Sequence, residues 1–259
     1  MKSIKLVLLL TVLFLTPLFS AYLSGTPEQS ARYGEPIRLR YQPENGAVVG
    51  GVEAAVTPNP GAPPVRIDLV QSDGIWERTY TVNDTATRAL KVEWEVRDDQ
   101  GKPVVIADPV AWILMTGPDG RPVRGANEKL ALFRFESAGA TDNLLEAESD
   151  IRNELALYPD NFSSRMLLYT VWMRRAKGKS PALAQIKQDV DSILAAKGEN
   201  PETLGFAAEA LSRIGEKDES EKMTRRLIQI DPRGPAAVSA GLDSILAVKD
   251  PADRAIRIE

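Results

Sequence analysis

Two periodicities divide the chain. From Gly34 to Phe135, apolar and polar residues alternate with a period of two. Ile37-Arg38-Leu39-Arg40-Tyr41, Val65-Arg66-Ile67-Asp68-Leu69 and Val92-Glu93-Trp94-Glu95-Val96-Arg97 each offer one apolar and one charged face, the mark of a half-buried strand. In the last run Val92, Trp94 and Val96 turn inward, and Lys91, Glu93, Glu95 and Arg97 outward. Val110 to Met115 is continuously apolar and suits a central strand. Turn sequences separate the runs: Pro43-Glu44-Asn45-Gly46, Ser72-Asp73-Gly74, Asp98-Asp99-Gln100-Gly101 and Gly117-Pro118-Asp119-Gly120.

From Thr141 onward the period is helical and the punctuation regular. Six helices are predicted: Asp142 to Leu157, Asn161 to Lys177, Ser180 to Gly198, Asn200 to Gly215, Lys217 to Ile230, and Gly234 to Asp250. Asn143-x-x-Glu146 resembles a capping box on the first. Ser180-Pro181 and Asn200-Pro201 combine a capping side chain with a proline that needs no N–H partner.

These patterns predict two domains of different class. Residues 34–137 read as an all-β immunoglobulin-like sandwich, lacking that fold's Cys…Trp…Cys signature. Residues 141–249 read as an all-α helical repeat. Pro201 and Pro235 are 34 residues apart, the tetratricopeptide period. With Pro201 as position 1, Leu204, Ala208, Leu211, Ser220, Leu227 and Pro232 occupy positions 4, 8, 11, 20, 27 and 32. They resemble that repeat's pattern of small residues where its two helices cross. Ala207, Ser220 and Thr224 depart from it. The first predicted helix looks like the second helix of a repeat without its first.

Residues 1–21 read as an export signal or N-terminal anchor: a short basic start, Lys2 and Lys5, then an apolar run from Leu6 to Leu15. Ile4 to Leu23 nearly reaches the roughly 20 residues of a membrane span. Residues 22–33 are a linker and 250–259 a tail. The expected location is therefore exported, periplasmic or extracytoplasmic, with membrane contact only through an uncleaved N-terminus.

Composition removes chemistry rather than adding it. The chain has no Cys and no His. That excludes disulfides, thiolate nucleophiles, Cys/His zinc sites and imidazole catalysis. The formal charge is −4, evenly spread, without the clustered basic face that nucleic acid requires. No nucleophile motif is present. Gly178-Lys179-Ser180 has the end of a phosphate-binding loop, but Met173 stands where its first glycine belongs, and a helix C-cap is the better reading. Asp98-Asp99-Gln100-Gly101 reads as a turn ahead of a calcium site, and Glu93, Glu95 and Arg97 as a solvated salt-bridged face. No catalytic residue, cofactor or metal is expected.

The one basic cluster is Arg174-Arg175-Ala176-Lys177-Gly178-Lys179. Phe162, Met166, Tyr169 and Trp172 lie near it at helical spacing and read mainly as core. The last helix lacks an obvious polar cap, which predicts an exposed apolar patch around Leu242, Ile245 and Leu246. The candidate partner-binding residues are Trp172, Arg174, Arg175, Lys177, Leu242, Ile245 and Leu246.

The order of parts resembles the N-terminal region of exported bacterial thioredoxin-like proteins, of the thiol–disulfide oxidoreductase kind. The likeness rests on Pro36-Ile37-Arg38-Leu39-Arg40-Tyr41, the turn from Gly117 to Ala126, Leu155-Ala156-Leu157-Tyr158-Pro159, and Leu204 to Pro232. In that family a β-sandwich and tetratricopeptide-like helices precede a thioredoxin domain. No Cys-x-x-Cys occurs here, so no catalytic residue carries over. The resemblance implies the accessory region alone, either a truncated relative or a stand-alone binding partner of a thioredoxin-like protein. The expected function is non-catalytic protein–protein interaction. The alternative is a carbohydrate-binding or carboxylate-based carbohydrate-active protein, with Trp76 or Trp112 lining a groove.

Overall fold

The structure is a computed structural model that describes residues 29–43, 49–104, 110–137, 141–177 and 180–246. The export segment, the Gly178-Lys179 turn and the C-terminal tail lie outside the described residues, as do the side chains of Leu242, Ile245 and Leu246. Among the described residues no helix is long and apolar enough to cross a membrane. The chain divides into two compact units, Met1–Val123 and Arg124–Glu259.

The first unit is built from strands β1 (Gln29–Arg32), β2 (Pro36–Tyr41), β3 (Gly51–Pro58), β4 (Val65–Asp68), β5 (Val70–Ser72), β6 (Ile75–Thr81), β7 (Ala89–Arg97), β8 (Pro103–Val104) and β9 (Val110–Thr116). One sheet has the order β1-β9-β7-β3-β4, with β8 also on β7; the other has the order β2-β6-β5. β1 runs parallel to β9, and the other pairs are antiparallel. The two sheets share one apolar cluster, with Ile37, Leu39 and Trp76 from the smaller and Val56, Val92, Trp94, Val96, Ile113 and Met115 from the larger. The alternation in β7 turns Val92, Trp94 and Val96 into that cluster as expected. β9, the continuous apolar run, lies between β1 and β7.

Val65 to Leu69 departs from the expectation of one strand. β4 ends at Asp68 on the edge of the larger sheet, and β5 starts at Val70 on the edge of the smaller. Leu69 between them is buried and donates its N–H to Val52 O at 2.9 Å. Val65 therefore stays 45% exposed although the alternation would bury it.

The second unit holds seven described helices: α1 (Ala126–Glu136), α2 (Thr141–Leu157), α3 (Phe162–Arg175), α4 (Ser180–Lys197), α5 (Pro201–Arg213), α6 (Lys217–Ile230) and α7 (Pro235–Leu246). α1 corrects the expectation that the β pattern continues to residue 137. Leu130, Ala131 and Phe133 look like alternation, but the buried set includes Ala126, Asn127, Leu130 and Ala131, which repeats every four residues. The expected capping box on α2 does not form: the helix already starts at Thr141, Asn143 Nδ2 donates to Ser137 O at 3.1 Å, and Glu146 pairs with Arg134. The caps on α3 and α5 do form. Asn161 Oδ1 accepts the N–H of Ser164 at 3.3 Å, and Asn200 Oδ1 that of Thr203 at 2.9 Å.

The odd-numbered helices begin at 126, 162, 201 and 235, steps of 36, 39 and 34 residues. With α1 added, the helix that lacked a first partner in the sequence now has one. Small residues set the close approach of α5 and α6: Ser220 Oγ donates to Ala208 O at 2.7 Å.

Candidate functional site

Trp172 is 9% exposed and belongs to the helical core. Its indole N–H donates to Glu148 Oε1 of α2 at 3.1 Å. The same carboxylate takes Arg152 Nη2 at 2.7 Å and pairs with Arg175. Burial pushes the Glu148 carboxyl upward, but hydrogen bonds from Arg152 and Trp172 and the charges of Arg152 and Arg175 outweigh it and hold it below the usual carboxylate range. Arg174 lies over the Phe135 ring, 4.7 Å from its centroid. Of the four predicted docking residues on α3 and its end, only Lys177 is exposed without a partner among the described residues. The aromatic and cationic spacing thus serves the packing of α3 against α1 and α2, and Trp172 is withdrawn from the surface.

A different face of α3 is open. Phe162, Ser163, Met166, Leu167 and Thr170 of α3 face Glu202, Phe206, Glu209 and Arg213 of α5 across a groove of about 520 Å³. Each set repeats every three or four residues, so each is one stripe along its helix. The Phe162 and Phe206 rings stack in the floor, with centroids 4.5 Å apart and planes 13° from parallel. Lys197 Nζ sits 5.1 Å from the Phe162 centroid. At the far end Arg213 Nη2 binds Glu209 at 2.7 Å, and its Nη1 reaches Thr170 Oγ1 at 3.5 Å. Glu202 is exposed and has no partner among the described residues.

The α3 wall is fixed from behind by two other helices. Ser163 Oγ and Ser164 Oγ donate to the Glu128 carboxylate of α1 at 3.1 and 2.7 Å. Arg165 Nη1 donates to both oxygens of Asp189 on α4, at 3.0 and 2.8 Å, and Tyr169 Oη donates to one of them at 2.7 Å. Burial first, then the hydrogen bond to Asp189, pushes the Tyr169 phenol far above its ordinary value. A wall held this way presents its side chains without first having to order them.

Sequence reasoning assigned Phe162 and Met166 to the core, and Met166 does lie in the helical core with Phe162 packed against it. It missed α5's stripe as a partner for them, because 39 residues separate the two helix starts.

In the β unit, Trp76 and Trp94 are buried, and Trp112 is half-buried opposite Lys91. The neighbouring carboxylates are paired: Glu93 with Lys91 at 2.6 Å, and Glu95 with Arg66 at 2.9 Å. Asp98 Oδ1 accepts the N–H groups of Gln100 and Lys102 at 3.0 and 2.7 Å, so this carboxylate closes a turn.

No protein-family model and no curated protein matches this chain.

Proposed function

We propose that the protein is an exported, non-catalytic interaction scaffold whose helical unit holds a partner protein in the α3–α5 groove. The observation that carries this reading is the groove itself, open between two helix stripes, with Phe162 and Leu167 half-buried along it and Ser163, Glu202, Glu209 and Arg213 exposed at its lip. The steps of 36, 39 and 34 residues between odd helices support a tetratricopeptide-like repeat, an architecture that presents its first helices on a shared surface. Ser220, where that repeat usually has alanine, fits the narrow crossing by bonding the Ala208 carbonyl. In the β unit, β1-β9-β7-β3-β4 facing β2-β6-β5 supports an immunoglobulin-like sandwich. Export rests on the segment from Met1 to Ala21. A thioredoxin-like protein is the partner that the family resemblance favours.

The test is site-directed photo-crosslinking in the exported fraction. A crosslinker at Thr170 or Glu209 is expected to capture a thioredoxin-like protein, and one at Lys177 is not. Equal capture at all three positions would remove the groove from the reading.

A further inference from the structure

Independently of the groove, we infer that the β unit pairs with a second copy of this chain along the free edge of β4, antiparallel and about a two-fold axis at Ile67. Among the described residues no strand lies beyond β4 in its sheet. Its register on β3 sets Ile67 against Ala54 and Val65 against Val56, and the bond from Leu69 N–H to Val52 O continues that register. Hydrogen-bonded and non-hydrogen-bonded pairs alternate in an antiparallel ladder. Residues 65, 67 and 69 therefore direct their backbone groups at β3. Arg66 and Asp68 direct theirs toward the free edge.

A two-fold pairing must set free backbone groups against free ones, and like face against like face. With Ile67 on the axis both conditions hold. Arg66 stands opposite Asp68 of the second copy, Asp68 stands opposite its Arg66, and each pair exchanges both N–H···O bonds. The side chains agree with this register. Half-buried Ile67 meets its own counterpart, and Val65, 45% exposed in the single chain, faces Leu69 of the second copy. Asp68 is exposed, stands opposite the like charge of Glu53 and has no ion-pair partner among the described residues. Arg66 of the second copy supplies that cation. An axis at Arg66 or at Asp68 would instead oppose that residue with itself, two like charges face to face. β2, an edge of the smaller sheet, turns Arg38 and Arg40 away from the core, so pairing it about its middle would set arginine against arginine. The β4 pairing is isologous, uses this edge once in each copy and stops at two chains.

The chain has no cysteine, so single cysteines test the register directly. In the full chain, held in mild detergent and oxidised, Ile67→Cys is expected to form a disulfide-linked dimer. Opposed residues of a non-hydrogen-bonded pair lie about 4.5 Å apart at Cα, within the span of a disulfide. Val65→Cys is expected not to link, because the two Val65 positions are four residues out of register, about 13 Å apart. Sedimentation equilibrium then tests the charges. Asp68→Arg and Arg66→Asp should each weaken self-association about ten-fold, as two exposed ion pairs become two like-charge contacts. Mixing the two variants should restore a mixed dimer, since each brings the charge that the other lacks, and this recovery separates lost pairing from lost folding. No disulfide at Ile67, or equal linkage at Val65, overturns the proposal. So does Asp68→Arg associating at parental strength, or no gain on mixing.

Discussion

Glu154 Oε1 accepts the backbone N–H of Gly125 at 2.6 Å. Gly125 stands at the start of α1 in the left-handed region, φ 87°, and has no side chain to cap the helix. The same oxygen accepts Asn161 Nδ2 at 3.0 Å, and Asn161 in turn caps α3. One buried carboxylate near the end of α2 therefore fixes the starts of α1 and α3, and α3 is a wall of the groove.

Replacing Glu154 by Ala strands two donors at once, the buried Asn161 amide and the half-buried Gly125 N–H. The expected loss is about 2–3 kcal/mol of stability, read as a lower urea midpoint. Glu154→Gln keeps an oxygen acceptor and should lose less. A Glu154→Ala protein as stable as its parent would contradict this role.

Tyr169 makes a prediction at alkaline pH. Its phenol is raised above the ordinary value in the fold, by burial and by Asp189. The folded state thus holds this proton more tightly than the unfolded chain. The stabilisation is complete below the usual phenol value of about 10 and is lost as pH rises above it. Thermal melts from pH 8 to 11.5 should show this decline, and Tyr169→Phe should lessen it. A Tyr169→Phe profile parallel to the parent's would count against it.

How much of this was legible depended on whether a signal was local. The ends of α6, Lys217–Ile230, and the caps at Asn161 and Asn200 are encoded within a few residues and could be read directly. α1 was hidden because Leu130 to Phe135 satisfies a period of two as well as a helical one; only burial at Ala126 and Asn127 separates the two. Trp172 read mainly as core and lies there, but its indole's partner was not legible because that carboxylate, Glu148, is on another helix. The groove was out of reach for the same reason: its two stripes are joined only by tertiary packing.

Glu148 predicts an acid-side effect of opposite sign. Its carboxyl lies below the usual range in the fold, so its contribution is present above the unfolded value of about 4.3 and fades as pH falls through the folded one. Glu148→Gln should flatten stability against pH between about 5 and 2.5. An unchanged acid slope would mean that the contacts with Arg152, Arg175 and Trp172 add nothing to the fold.

Gly50 is a steric test of the β unit. A Cβ built there would overlap the Asp98 carbonyl and come within 2.8 Å of the Asp99 Cα, both of them backbone. The N–H of Gly50 also donates to Arg97 O at 2.8 Å, so the chain cannot move away without losing that bond. Gly50→Ala should cost about 1–3 kcal/mol, the usual range for overpacking. Gly51, whose Cβ would meet nothing within 4 Å, is the matched control and should tolerate Ala better. Equal melting temperatures for the two variants would show that the Asp98–Asp99 turn yields freely.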